Sequence, residues 1–517
     1  MRGQQGIIFG LMNKETGEKM KLLYYILTVF MSFGLWSDER PNIVLIMADD
    51  MGRETVGAHG GLDYSTPVLD KIGSEGMTFD HCYSLPICTP SRVKIMTGQY
   101  GFRNYRQFGL LPSSEVTFGN ALQKAGYATC ITGKWQLGGD HQQILNFGWD
   151  EYCLTNGVKP KNPQDKPLIQ GRERYWQTAN VIANGKYYKP RCHFYGPDMV
   201  NEYACDFIKR KKDKPFFLYY PMILPHSPWA PTPNSKDGDK SGAKVSEVRF
   251  FKDNIEYIDH LVGNVVKALE ESGQRDNTLL IFTGDNGSGY PVPVTRSNEN
   301  IKRIVSLKGW GDYDEIIVEA GEKSPKSSKG IQEGPITRTN YGEIPGRKNL
   351  MLRDGIGVPC VMQWPKYSAQ YNEHKLDDLI DFSDFFATFA ELAGVKDQFE
   401  NDGISFASRL KGEGKNSREF VFCHYWKSGR DPRGARDAIH NGKYKIYNNG
   451  DFFDLEKDPD EKKALKITEM NEGQLKARAE LMNAYYQLRG MNLPASEVSD
   501  KEAPPKKKKN NSKKKKA

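Results

Sequence analysis

The chain has 517 residues, of which 38% are hydrophobic and 27% charged, with 50 Gly and 28 Pro. This is the composition of a loop-rich globular protein, neither disordered nor collagenous, and long enough for one large domain with a smaller partner. The formal charge of +8 resides in the tail, where residues 501–517 hold nine Lys and one Glu, so the balanced remainder argues against a nucleic-acid-binding surface.

At the N-terminus, Met20 opens MKLLYYILTVF, and an apolar run from Leu22 to Leu35 follows Lys19 and Lys21. The run is too short for a comfortable membrane span. Ser32, Gly34 and Ser37 near its end suit signal-peptidase cleavage. Residues 1–19 are expected to be a mis-assigned start extension and 20–37 a signal peptide. The mature protein is then exported, periplasmic or extracellular, with no membrane span. Eight Cys without a CxxC pair form neither a zinc site nor a disulfide scaffold.

Asn42 to Met47 (NIVLIM), Phe216 to Tyr220 (FFLYY) and Thr278 to Phe282 (TLLIF) are continuous apolar runs, the pattern of strands buried on both faces of a parallel sheet. Between them lie amphipathic stretches, Thr66 to Gly76 and Val245 to Ser272. The second carries Ile255, Ile258, Leu261, Val262 and Val265 at helical spacing. Asp377 to Gly394 reads as a further helix closed by a glycine. The alternation predicts an α/β fold, a large mostly parallel sheet flanked by helices.

Beyond residue 399 the pattern changes to short strands at Phe420 to His424, Lys443 to Tyr447 and Phe452 to Leu455, then a closing helix at Gly473 to Arg489. The expected organisation is a catalytic domain over 38–399, a smaller antiparallel α+β subdomain over 400–494, and a disordered lysine-rich tail over 495–517. Ser288 to Gly346, rich in Gly, Pro and charge, reads as a surface excursion that helps shape a site.

Two pairs lie directly beyond strand ends, Asp49-Asp50 and Asp285-Asn286. Ligands of doubly wound sheets gather at the carboxyl ends of strands, and these hard oxygen donors suit Ca²⁺ or Mg²⁺ better than zinc. Asn286-Gly287-Ser288 also matches the glycosylation sequon, but a buried strand end is a poor acceptor. In Cys88-Thr89-Pro90-Ser91-Arg92, Pro90 at an early helical position places residue 88 at a helix N-terminus, where unpaired N–H groups favour an anion.

Cys88-x-Pro-Ser-Arg followed by Thr97-Gly98 resembles the sulfatase signature, in which the Cys becomes Cα-formylglycine. Pro41 through Asp50, Thr66 to Asp70, Gly133-Lys134-Trp135, Pro225-His226-Ser227-Pro228, Asp285-Asn286-Gly287 and Gly346-Arg347-Lys348 resemble, in order, the other motifs of that family. The resemblance implies a sulfate-ester hydrolase acting on a sulfated polysaccharide or oligosaccharide. Its nucleophile would be the gem-diol of formylglycine 88, made by a formylglycine-generating maturation enzyme. One hydroxyl attacks sulfur, and the other lets sulfate depart. It further implies that Asp49, Asp50, Asp285 and Asn286 bind Ca²⁺ (or Mg²⁺) with residue 88. Arg92 would steady the diol, Lys134 and Lys348 hold the sulfate, and His226 contact it and protonate the leaving alcohol.

Two departures stand out. Gln136 occupies the place of a common His, able to orient and bind substrate but not to carry a proton. Arg353-Asp354-Gly355-Ile356-Gly357 replaces the usual Glu-Gly-Gly-x-Arg before Val358-Pro359. His59 and His141 are further groups that could reach the pocket. Two alternatives stay open, a phosphoester or phosphonate-ester hydrolase of the same superfamily and a catalytically silent protein that binds sulfated glycan.

Overall fold

The structure, a computed structural model, describes residues 40–155, 158–162, 164, 181–187, 195–212, 214–227, 229–236, 248–289, 335–426 and 435–491, and the backbone of 301–307 and 313–319. The expected start extension, the signal peptide and the lysine tail lie outside the described residues, as do parts of the 288–346 excursion.

The first eight strands are β1 (Asn42–Ala48), β2 (Met77–Tyr83), β3 (Ala128–Lys134), β4 (Glu151–Thr155), β5 (Val181–Ala183), β6 (Lys186–Tyr187), β7 (Phe216–Pro221) and β8 (Thr278–Gly284). Two hairpin pairs follow within the excursion, β9 (Ile301–Leu307) with β10 (Tyr313–Glu319) and β11 (Ile336–Thr339) with β12 (Gly342–Pro345). β13 (Cys360–Gln363) and β14 (Lys375–Asp381) then complete a ten-stranded sheet of order β14-β2-β13-β8-β1-β7-β3-β4-β5-β6. Its centre, β8-β1-β7-β3-β4, is parallel throughout. β13 runs against both neighbours and β5 and β6 turn back at the edge, so the sheet as a whole is mixed.

The apolar runs form the central strands because both sheet faces are covered. Along β1, Ile43, Leu45 and Met47 enter one core and Val44, Ile46 and Ala48 the other. The second core is closed by α1 (Pro67–Glu75), α3 (Gly196–Arg210) and α4 (Arg249–Glu271), and Ile255, Ile258, Leu261, Val262 and Val265 of α4 are all buried there. The first is closed by α2 (Cys88–Thr97) and α5 (Asp384–Leu392).

The helix expected over Asp377 to Gly394 divides. Residues 375–381 are β14, parallel to β2 with a register shift between Leu376 and Leu379, and only Asp384–Leu392 is helical. The bulge breaks the strand's two-residue alternation, which disguises it as helical periodicity. Asp384 ends the strand and starts the helix: its carboxylate accepts the Asp381 and Ile404 N–H groups at 2.8 and 2.7 Å.

A second sheet of four antiparallel strands, β15 (Val421–Tyr425), β16 (Arg436–His440), β17 (Tyr444–Tyr447) and β18 (Phe452–Asp454), is backed by α6 (Glu472–Leu488). On its other side Val421, Cys423, Ala438 and Tyr447 pack with Cys88 and Ile87. Among the described residues no helix is long and apolar enough to cross a membrane.

Candidate active site

Three central strands deliver their last residues to one place. Asp49-Asp50 follow β1, Lys134 ends β3, and Asp285-Asn286 follow β8. The strand ends are held level by backbone bonds that continue past the ladder, Asp49 N–H to Leu224 O and Asp285 N–H to Ala48 O, each 2.9 Å. At Asp50 the chain turns through a left-handed conformation, φ 66°. The loop after β7 brings His226, and the turn after β12 brings Lys348.

α2 starts at Cys88 itself, with Pro90 as its third residue. Ser91 ties the incoming loop to the helix, accepting the Leu85 N–H and donating to the Ile87 carbonyl, each at 3.0 Å. Arg92 stands one turn beyond Cys88 on the same side. All ten residues of this helix are buried.

Donor atoms of Asp49, Asp50, Cys88 and His226 lie within 4.8 Å of one another. Around them the charges interlock. Lys134 Nζ is 2.5 Å from Asp49 Oδ2, and Lys348 Nζ is 2.5 Å from Asp50 Oδ2. Arg92 Nη2 donates to Asp285 Oδ2 at 2.8 Å and stands 3.8 Å from Asp49 Oδ1. Asp285 Oδ1 accepts the Asp50 N–H, and the Asn286 amide donates to Asp50 Oδ1, both at 2.9 Å. His226 Nε2 faces Asp50 Oδ2 at 3.6 Å, while its Nδ1 lies 2.5 Å from the Ser227 carbonyl. A carbonyl only accepts, so Nδ1 carries the proton.

The electrostatics follow from this packing. Burial pushes the Asp49 carboxyl up, but Lys134, His226, Arg92 and Lys348 outweigh it and hold it below the ordinary range. Asp50 is likewise lowered, burial being overcome by Lys348 and His226. Asp285 goes the other way, raised to about 7 by burial and the neighbouring Asp49 charge against Arg92. Burial raises the Cys88 thiol in spite of Lys134 and Lys348, so the unmodified side chain stays protonated and is no activated nucleophile. Burial lowers His226 to about 3, leaving a neutral imidazole.

This donor set fits a hard divalent cation. Asp49 Oδ1 and Asn286 Oδ1 are buried with no hydrogen-bond partner. An orphaned oxygen in so dry a place is costly unless a cation or donor meets it. Three carboxylates share the space, and one of them is forced toward neutrality. The oxygens of Asp49, Asp50, Asp285 and Asn286 are hard donors of the kind that suits Ca²⁺, with Cys88 and His226 beside the first two.

Gln136 stands two residues past Lys134, itself in a left-handed conformation (φ 58°), with a buried Oε1 that lacks a partner. The contacts that knit the other groups together do not include it. His59 does not enter the pocket: Nε2 accepts the Cys360 N–H at 3.0 Å and Nδ1 faces Asp80 at 3.2 Å, building it into the sheet. His141 pairs with the Tyr152 hydroxyl at 2.9 Å. Asn286, of the apparent glycosylation sequon, is fully buried.

Sequence reasoning missed Lys94, Glu54 and Ser288. Lys94 Nζ meets Asp381 Oδ1 at 2.7 Å and the Phe422 carbonyl at 2.9 Å, pinning α2 to β14 and the second sheet. Ser288 donates to the buried Glu54 at 2.5 Å. In sequence Lys94 reads as a surface lysine, and only its place on a helix without a polar face could have flagged it.

The sulfatase family model matches residues 41–395, and a model described as N-sulphoglucosamine sulphohydrolase, C-terminal, matches 346–488. Human arylsulfatase D is 26% identical over 468 residues, covering 75% of this chain and 71% of that protein. N-acetylgalactosamine-6-sulfatase of Rattus norvegicus is 29% identical over 405 residues, covering 73% and 66%. A structure solved in complex with its substrate D-glucosamine-2-N,6-O-disulfate shares the fold at TM-score 0.62 and 19% identity, covering 87% of this chain and 98% of that one.

Proposed function

Because the chain belongs to the sulfatase family, we propose that it is an exported hydrolase that removes sulfate from a sulfated polysaccharide or oligosaccharide. The observation that carries this reading is the meeting of Cys88, at a helix N-terminus, with Asp49, Asp50 and His226 inside 4.8 Å, flanked by Lys134, Lys348 and Arg92. Such a pocket offers three fixed cations to a tetrahedral anion in a dry site, where they act strongly.

Asp49, Asp50, Asp285 and Asn286 would hold Ca²⁺ together with residue 88. The metal, when bound, supplies positive charge that acidifies the nucleophile and stabilises charge developing on the sulfate. Formylglycine made from Cys88 by a maturation enzyme supplies a nucleophile with a second exit, which a thiol or alcohol lacks. Lys134 and Lys348 now rest on Asp49 and Asp50. With those carboxylates engaged by a cation, both ammonium groups would be free to grip sulfate oxygens. Arg92 would steady the nucleophile's oxygen and Gln136 orient the nucleophile, while His226, neutral with its Nε2 open to the site, would contact the sulfate, take up the proton lost by the attacking hydroxyl and pass it to the leaving alcohol.

The proposed catalytic residues belong to the expected 38–399 domain, and residues of β15, β16 and β17 pack against Ile87 and Cys88 at the start of α2. A carbohydrate substrate is supported by the relatives, one named for N-acetylgalactosamine-6-sulfate and one solved with a sulfated glucosamine. Aryl sulfate and aryl phosphate esters assayed side by side, with Ca²⁺ present, test the reaction class. Turnover of sulfate well above phosphate is expected. The reverse preference would indicate a phosphoester hydrolase, and glycan binding without turnover of either ester a silent binding protein. Desulfation screened across defined sulfated oligosaccharides then identifies the substrate.

A further inference from the structure

We propose that Ser288 is the positioning residue that keeps the two halves of the cation cradle in register, with Glu54 fixing the direction of its hydroxyl. The inference rests on reading Asp49, Asp50, Asp285 and Asn286 as the Ca²⁺ site.

The cradle is split between two loops far apart in sequence, one after β1 and one after β8. Two side-chain links that join them engage the cradle's own donor groups. Asp285 Oδ1 accepts the Asp50 N–H, and the Asn286 amide donates to Asp50 Oδ1. A cation drawing on those oxygens competes with both links. Ser288 supplies one that spends no donor of the cradle. Its Oγ accepts the Gly52 N–H at 3.1 Å and donates to Glu54 Oε1 at 2.5 Å. Its carbonyl accepts the Lys348 N–H at 3.1 Å. One residue thereby registers the loop after β1, the loop after β8 and the backbone of the lysine that faces Asp50.

The surroundings leave this link no alternative. Ser288 is fully buried and Glu54 is 1% exposed, so no water replaces a lost partner. A Cβ on Gly52 would come within 2.2 Å of Glu54 Oε2 and 2.4 Å of Oε1, so the carboxyl lies flat against that glycine, with Oε1 meeting the serine hydroxyl. A buried carboxyl whose second oxygen has no hydrogen-bond partner is an expensive group to keep. The side-chain hydroxyl that it holds is that of Ser288.

The test is calorimetric titration of Ca²⁺ alone into the metal-stripped full chain, with unfolding midpoints and aryl sulfate kinetics measured alongside. Ser288→Ala is expected to weaken Ca²⁺ at least tenfold and lower kcat in step. KM should move less than threefold, because the 288 carbonyl still holds Lys348. Glu54→Leu should behave like Ser288→Ala, while Glu54→Gln, which keeps an acceptor oxygen, should recover most of the affinity. Should Ser288→Ala lose the fold, the Glu54 pair carries the same comparison. Unchanged Ca²⁺ affinity in Ser288→Ala or Glu54→Leu overturns the positioning role while leaving the metal site standing. A parent chain that takes up no Ca²⁺ overturns the site reading and this inference together.

Discussion

Gly133, the residue before Lys134, has φ 122°. A Cβ there would lie 2.0 Å from the Pro221 carbonyl oxygen and 2.9 Å from its carbon, both backbone atoms of the adjacent strand β7. Gly133→Ala therefore combines two penalties. The backbone conformation costs an L-residue about 1–3 kcal/mol. Relieving the contact requires β3 and β7 to part by roughly 1 Å in a close-packed core, at about 1–3 kcal/mol more. Gly126→Ala is the matched control, because φ is 87° there but nothing lies within 4 Å of the added carbon. Urea unfolding should then show Gly133→Ala less stable than Gly126→Ala by about 1–3 kcal/mol, the contact alone. The same displacement moves Lys134, whose Nζ sits 2.5 Å from Asp49. A misplacement of about 1 Å in a catalytic group lowers kcat/KM roughly a hundredfold. Aryl sulfate turnover of the folded variant measures this directly. If Gly133→Ala matches Gly126→Ala in stability and keeps parental turnover, close approach at Gly133 is not what aims the lysine.

Other outcomes follow from the same geometry. Peptide mass analysis of active protein should find formylglycine at position 88, and Cys88→Ser, made in a host that modifies only Cys, should keep the fold and lose most turnover. An unmodified thiol at full activity contradicts the mechanism. Asp285→Ala should lose Ca²⁺ and activity together while the sheet stays intact by circular dichroism; undiminished metal binding would remove Asp285 from the ligand set. Gln136→Leu should lower kcat about ten- to a thousandfold, the scale of one positioned hydrogen bond, and Gln136→His should change the rate little. A large gain in the His variant would show that this position carries a proton. Lys94→Met leaves Asp381 buried without its cation and should cost about 3–5 kcal/mol in chemical denaturation; a loss below about 1 kcal/mol would mean the pair is not what holds α2.

The parallel centre of the sheet and the positions of Asp49, Asp50, Cys88, Lys134, His226, Asp285 and Lys348 are legible in the sequence. Asp49, Asp50 and Asp285 are announced by an apolar run with polar residues at its end and Cys88 by a proline at a helix start, while Lys134, His226 and Lys348 are legible through resemblance to family motifs. What sequence conceals is contact between distant segments. Nothing near Ser288 signals that its hydroxyl meets Gly52 and Glu54, more than 230 positions away. His59 reads as a free histidine until Cys360, 301 residues on, donates its N–H to it. The bulged strand β14 passes for a helix because a register shift mimics helical spacing, and only its pairing with β2 decides the matter.

The enclosure of α2 sets an order of events in the life of the chain. Every residue of that helix is buried, and Lys94 locks it to Asp381 and to Phe422, the latter 328 positions further along. With that lock closed the Cys88 side chain is 1% exposed. At about 5–20 residues per second of synthesis, the segment that closes it emerges roughly 15–65 seconds after the helix does. If Cys88 is converted as proposed, the maturation enzyme would have to act within that interval, or on a chain held unfolded. On that reading, a chain that folds first would keep an ordinary thiol and lack the proposed nucleophile. The yield of active enzyme would then be set by a race between conversion and closure.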